Sequence, residues 1–513
     1  MREYKEIRIE GMVYPIREVS NGLSKYKEIR IEGMVYRLYE DKTAGIVVTY
    51  EDHPSDLVLP EKITYEDEDY ILAGIEARLF DLTSIVLPKT IAHLRPKAFT
   101  GCAKTLRSIT IPGNVKFIGE QAFEDCEALT SVVLEDGVLA IGDMAFSGCK
   151  NLTSIKLSNT LLFIGSCAFS GCKDLTTIEM PDTVLFLGRG AFSSCTNLQS
   201  VTLSHKLTQI GEFCFEGCGN LTSIVIPRSV TKLEDGAFYT RLSFLEPCNK
   251  RLQSIIVEDK NPRYDSRENC NAIIETKTNT LLFGCANTII PNGVTTIASD
   301  AFTDCFGLKS ISIPDSVKSI GTGAFDGTGL TSVVIPKSVE SISDWDKPFV
   351  GLTSIRVEEG NPRYDSRNNC NAVIETKTNE LIIGSNSTII PNDVKEIGRA
   401  AFLDCTGLKS IDIPYGVTRI KEKTFQCCSG LTSIIIPDSV SKIDCSAFRE
   451  CTGLTYVELP GGITIDGHAF YKCTNLATVI FRGTPKSVDS SAFKDCFNIK
   501  KMVLPANDSV DIK

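Results

Sequence analysis

The stretch Leu221–Phe238 reads LTSIVIPRSVTKLEDGAF. Leu221, Ile224 and Ile226 have the L-x-x-I-x-I spacing of a short strand whose apolar side chains point into a coil. Pro227 ends that strand, because it has no N–H for a further ladder bond. Val230 and Leu233 turn the chain inward again. Ala237 and Phe238 pack the far side, Ala admitting close backbone approach and Phe filling the width. The same text recurs along the chain, roughly as C-x-x-L-T-S-I-x-I-P-x-S-V-x-x-I-G-x-x-A-F-x-x-C. Thirteen phenylalanines mark it: Phe123, Phe146, Phe169, Phe192, Phe215 and Phe238 are each 23 residues apart, and the marks resume at Phe302 and Phe325, then at Phe402, Phe425, Phe448, Phe470 and Phe493. A fixed period of this length predicts a repeat solenoid, in which one unit cannot bury its apolar face alone.

Two near copies, offset by 100 residues, interrupt the period: NPRYDSRENCNAIIETKTNTLLFGCANTII at Asn261–Ile290 and NPRYDSRNNCNAVIETKTNELIIGSNSTII at Asn361–Ile390. Each holds two β-type apolar runs around a T-K-T-N turn, which predicts a hairpin lying along or beyond the edge of the solenoid. The text YKEIRIEGMVY occurs twice, at Tyr4–Tyr14 and Tyr26–Tyr36, with alternating apolar and charged residues. It predicts strands of a β-rich N-terminal cap over the first open core face. The expected organisation is a cap over 1–75, repeats over 76–258, a hairpin over 259–291, repeats over 292–358, a second hairpin over 359–391, and repeats to the end over 392–513.

The chain has 513 residues, 42% of them hydrophobic, and a net charge of −10. Lys and Arg are scattered rather than clustered, which argues against nucleic acid as a partner. No apolar run reaches the 18 or so residues of a membrane span, so membrane insertion is not expected. The start, MREYKEIRIEGMVY, lacks the apolar core of a secretory signal and predicts a cytoplasmic protein if Met1 is the true start. Twelve cysteines occupy one slot, three residues after the phenylalanine, from Cys102 and Cys126 to Cys473 and Cys496; Thr328 stands there in one unit. A slot that accepts Thr for Cys selects for size, so buried structural thiols are expected rather than disulfides or metal ligands.

The recurring I-P-x-S-V-x-x-I-G-x-x-A-F-x-x-C resembles the BspA-like, or treponemal-type, leucine-rich repeat, from about Leu57 to Leu504. The insertion text NCNAIIETKTN is similar to that of gut-bacterial members. The resemblance implies a right-handed superhelix of about fifteen leucine-rich repeats of 22–24 residues. It implies a parallel β-sheet on one face and a bacterial surface or secreted protein acting as an adhesin toward host or microbial protein or glycan. The competing expectation is an intracellular structural or protein-interaction scaffold.

Chemistry is sparse. The four histidines, His53, His93, His205 and His468, fall in different units, and no H-E-x-x-H, G-x-S-x-G or phosphate-loop motif occurs. An enzyme is not expected, nor is any cofactor or metal; the acidic run Glu66–Asp69 reads as a solvated turn. Gly119 and Gly321, in the I-G-x-x-A-F turn, read as positions needing positive φ. Asp265 and Asp365 read as Asx-turn residues. The strand residues flanking the middle apolar position, Ser first and a variable residue second, line one sheet face. That face is poor in binding-type residues except for Arg356, Asp412, Tyr456 and Glu458. Recognition is expected instead on the insertions, where Arg263, Tyr264 and Arg267, and Arg363, Tyr364 and Arg367, sit on turns projecting from a rigid frame. Trp345 is a further candidate anchor, alongside Arg356 and Tyr456.

Overall fold

The computed structural model describes residues 7–9, 12–14, 26–31, 34–49, 55–76, 78–234, 236–238, 252–343 and 347–504. Most coils begin with the strand anticipated from the L-T-S-I-x-I-P text; residues 310–313 and 410–413 follow the text without forming one. In Ser223–Ile226, Ile224 and Ile226 are buried while Ser223 and Val225 face outward. Successive strands pair in parallel at a constant register, as Ile109 with Val132 and Val132 with Ile155. We call this the first ladder.

A second ladder, which the sequence did not announce, runs along another side. Phe117–Ile118, Ala140–Ile141, Phe163–Ile164, Phe186–Leu187, Gln209–Ile210 and Lys232–Leu233 pair in parallel from coil to coil. These come from the V-x-x-I-G segment; two residues are too few to display a period of two. At its N-terminal end the ladder is headed by antiparallel strands that include the second copy of the duplicated text, Tyr26–Ile31 with Met34–Tyr39.

The third side carries the Ala–Phe pair. Phe146 N–H donates to Ala168 O at 2.8 Å, and Phe169 N–H to Ala191 O at 2.8 Å, so this turn is also bonded coil to coil. The Phe rings stack face to face, from 4.6 Å between Phe99 and Phe123 to 5.6 Å between Phe215 and Phe238. Phe99 and Phe349 join the stack although they lie outside the thirteen marks. The ladder cysteines sit below the rings. Cys149 donates its thiol to Phe123 O at 3.1 Å, Cys172 to Phe146 O at 3.2 Å and Cys451 to Phe425 O at 3.0 Å. Every described cysteine is a free thiol, and all of the ladder except the partly exposed Cys496 is buried.

The glycine reading needs correction. Gly119 and Gly321 do not have positive φ; the left-handed residue lies two positions on, at Gln121, Met144, Cys167 and Phe213, with φ of 56°, 56°, 52° and 54°. What excludes a side chain at Gly119 is proximity: a Cβ there would lie 2.8 Å from Leu94 O of the preceding coil, and one at Gly321 would lie 2.4 Å from Ser299 N.

The hairpins also differ from expectation, because they do not project. Ala272–Glu275 pairs antiparallel with Thr280–Gly284, and the latter pairs in parallel with Thr296–Ile297 of the next second ladder. Ile273 packs in the core of the preceding coils, whereas Ala272 and Ile274 belong to the core of the following ones. Val373, with Ala372 and Ile374, repeats the arrangement. Each hairpin is thus a septum with two buried faces, and the described residues form three apolar cores along one stack.

Two outcomes are expected. Phe169→Ala empties a fully buried aromatic site and lowers the stability of the first core by about 3–5 kcal/mol. Hydrogen exchange then shows protection lost in residues 78–234 and retained beyond Cys370, because coupling in a stack is to nearest neighbours; equal loss in all three cores contradicts the partition.

Candidate binding surface

The NPRYDSR side chains expected to carry recognition all bond within the fold, and the two tyrosines are buried there. The second ladder of the first block ends at Lys232–Leu233, which leaves backbone groups without a next strand. Asn261 Nδ2 donates to Pro227 O and Val230 O at 3.0 and 2.8 Å. Arg263 donates to Thr231 O at 3.1 Å, and Leu233 N–H donates to Tyr264 Oη at 3.1 Å. Side chains therefore satisfy a strand end, as a buried ladder edge requires. Asn361 repeats this on Pro336 O and Val339 O, Arg363 on Glu340 O and Tyr364 on Ile342 N–H.

Tyr264 and Tyr364 are corrections to the expected surface: each is 2% exposed and cannot touch a partner without the septum opening. Burial pushes the Tyr264 hydroxyl above its ordinary pKa. Arg267 and Arg367 fork onto Asp265 and Asp365 at 2.7 Å and reach Asn279 and Asn379. Arg267 N–H and Arg367 N–H also donate to those aspartates, which is the Asx turn read from the sequence. Arg263 and Arg363 remain half exposed but pair with Glu275 and Glu375. Trp345 lies outside the described residues.

The candidates on the first ladder stand differently. Arg356 is exposed, directly across from Val334. Tyr456 is half-buried, its hydroxyl donating to Glu458 Oε2 at 2.7 Å, which raises its pKa. The sequence reading passed over two strongly exposed apolar side chains, one in each hairpin insertion. Ile289 and Ile389 precede Ile290–Pro291 and Ile390–Pro391 as Val225 precedes Ile226–Pro227, but they lie outside the ladder strands, and their N–H groups donate to Cys270 O and Cys370 O at 3.1 Å. They are 73% and 76% exposed, and Val225 and Ile256, paired across the ladder, are 44% and 49% exposed. The signal was present: both copies end in T-I-I-P, with an isoleucine where the I-x-I-P text carries its outward residue.

One constellation has the composition of a nucleophilic site. Ser491 Oγ lies 3.4 Å from His468 Nδ1 and donates to Asp489 Oδ1 at 2.6 Å. Its polarity is wrong: the hydroxyl proton goes to the Asp489 carboxylate, so the imidazole has no serine proton to accept. Ser491 N–H donates to the same oxygen at 2.8 Å, making this a turn cap that holds the Asp489 carboxyl below its usual pKa. The thiols are no better placed, since burial pushes Cys126 up to about 12, far from a reactive thiolate. Among the described residues no group of three or more metal-ligating side chains converges, and no helix is long and apolar enough to cross a membrane.

The family described as "BspA type Leucine rich repeat region (6 copies)" matches residues 77–173, 116–245, 281–358 and 381–506. No curated protein sequence matches the chain. Among solved structures, a leucine rich cell surface protein from Faecalibacterium prausnitzii is 22% identical, with 94% of this chain and 95% of that one covered at a TM-score of 0.46. A leucine-rich repeat protein from Bacteroides ovatus is 23% identical, with 94% and 98% covered and a TM-score of 0.37. One from Eubacterium ventriosum is 19% identical, with 93% and 96% covered and a TM-score of 0.41.

Tyr264→Phe keeps the ring and removes the oxygen that satisfies Leu233 N–H. The expected cost is about 1–3 kcal/mol, that of a donor left unpaired, read as accelerated exchange of the Leu233 amide. For the thiols, alkylation of the native protein should modify the exposed Cys445 first and the buried ladder cysteines only on unfolding. Fast labelling of Cys149 or Cys172 in native conditions contradicts their burial.

Proposed function

The chain belongs to the BspA-type leucine-rich repeat family, and on that premise we propose that it is a non-enzymatic scaffold binding a polypeptide on the first-ladder side of its stack. The observation that carries this reading is the pair Ile289 and Ile389, the two near-identical septa presenting one protruding isoleucine each. Exposed apolar side chains on a rigid, hydrogen-bonded face are suited to desolvation by a partner. Val225 paired with Ile256 adds exposed apolar surface in the ladder before the first septum, and Val334 paired with Arg356 does so before the second. Aliphatic methyls give a sugar ring no aromatic face to stack on, so a protein is favoured over a glycan.

The fuller reading is an adhesin-like role at a bacterial surface, with a host or microbial protein as partner, in keeping with the character of the family. The alternative, an intracellular interaction scaffold, would use the same face. Cell fractionation with an antibody to the chain separates them: recovery at the surface or in the medium supports the adhesin, and recovery only in the cytoplasm supports the scaffold.

Affinity capture from extracellular matrix and from bacterial lysate tests the face. A partner held by the intact chain should be lost by Ile289→Glu with Ile389→Glu and kept by Arg263→Ala with Arg363→Ala. The reverse pattern returns recognition to the hairpin arginines.

A further inference from the structure

The outward row of the second ladder changes character along the stack. In the third block it carries Glu396, Arg419 and Lys442, and Arg419 and Lys442 pair with Asp444 and Asp466. In the first block it reads Phe117, Ala140, Phe163 and Phe186, adjacent in register. Phe117 is 43% exposed and Phe186 39%, while Phe163 is half-buried and stacked on Phe186 at 5.6 Å. Leu139, Leu162 and Leu185, each half-buried, run beside the row. Lys116, the one charge on that flank, turns its ammonium back onto Gly113 O at 2.8 Å. Nothing in the packing of the coils requires aromatic residues here, since Gln209 and Lys232 occupy the same row further on.

We propose that this row is a two-fold interface with a second copy of the chain. The argument is self-complementarity. An isologous contact must match a surface to itself. A two-fold axis parallel to the strands, lying between Ala140 and Phe163, reverses the coil order and keeps the strand direction. It sets Phe163 of each copy over the gap that Ala140 leaves in the other, and Phe117 opposite Phe186. It also sets Leu139 opposite Leu162. On the other flank, the residue after the I-G pair reads Glu120, Asp143, Ser166 and Arg189, so the same axis brings Glu120 opposite Arg189. Within its own chain Arg189 pairs with Glu212 at 3.4 Å and lies 5.3 Å over the Phe213 ring; the ion pair, with both side chains well exposed, is of little worth and readily exchanged. Shape and charge thus select one register and one partner. The row spans three coil steps, about 14 Å, and its stacked rings show edges rather than faces to solvent.

Sedimentation velocity on the full chain, from about 1 to 100 µM, tests the proposal. A reversible dimer is expected. Phe163→Asp should raise its dissociation constant roughly a hundredfold, with circular dichroism confirming the fold. Ala140→Lys, which fills the gap at an already outward position, should do the same and stands in if Phe163→Asp does not fold. Glu120→Arg should weaken the dimer roughly tenfold, and adding Arg189→Glu should restore it. A chain that stays monomeric, a dimer indifferent to Phe163→Asp and Ala140→Lys, or a charge reversal that the second swap fails to rescue overturns the interface.

Discussion

The distance between one coil and the next governs this structure. Parallel strands in a ladder sit about 4.8 Å apart, and here three columns hold neighbouring coils to that spacing: runs of the first ladder, the second ladder and the Ala–Phe peptide bond. Side chains of equivalent residues must then fit within the same repeat. Phenylalanine does so as a flat ring lying on the next ring, with planes within 7° along the first block. Ala122, Ala145 and Ala168 are fully buried beside them, in a slot that also takes the small Cys214 and Thr424. Cysteine is small enough to sit below the ring and, through its thiol, adds a contact to the carbonyl above. Gly119 answers the same constraint by having no side chain at all.

Where the period breaks, other devices replace the columns. Gly284 and Gly384 take the places where a Cβ would strike the rings of Phe302 and Phe402, at 2.1 and 2.2 Å, so each hairpin lies flat on the first phenylalanine of the next block. On its other side each hairpin closes the preceding ladder with Asn, Arg and Tyr side chains in place of a strand. The near identity of the two insertions is thus explained by identical structural work. It leaves their outward isoleucines as residues that the packing does not demand.

How much of this could be read from the text depends on length of signal. The repeat, its first ladder and the buried thiols follow from positions that recur a dozen times. The second ladder was hidden because each strand is two residues long and its outward member varies from Phe117 to Lys232. The positive φ was assigned to the wrong turn residue because glycine marks both strain and close approach, and here it marks approach. The arginines and tyrosines of the hairpins misled for a related reason. Composition shows that a side chain can bond, but only the coordinates show that the partner is the protein's own backbone. Ile289 and Ile389 were legible from the match of T-I-I-P to the I-x-I-P text and were passed over because isoleucine is an ordinary core residue.

The septa bear on how such a chain finds its native order. Coils with nearly the same text are interchangeable, so a collapsing chain can skip one and still lay ring on ring. The side chains of Asn261, Arg263 and Tyr264 bond the backbone groups of the last coil that the next coil would otherwise pair with. Each septum therefore works as a punctuation mark that resets the count. A misthreaded stretch is confined between two such marks rather than propagated down the stack, which lets a long array of look-alike units assemble without accumulating errors.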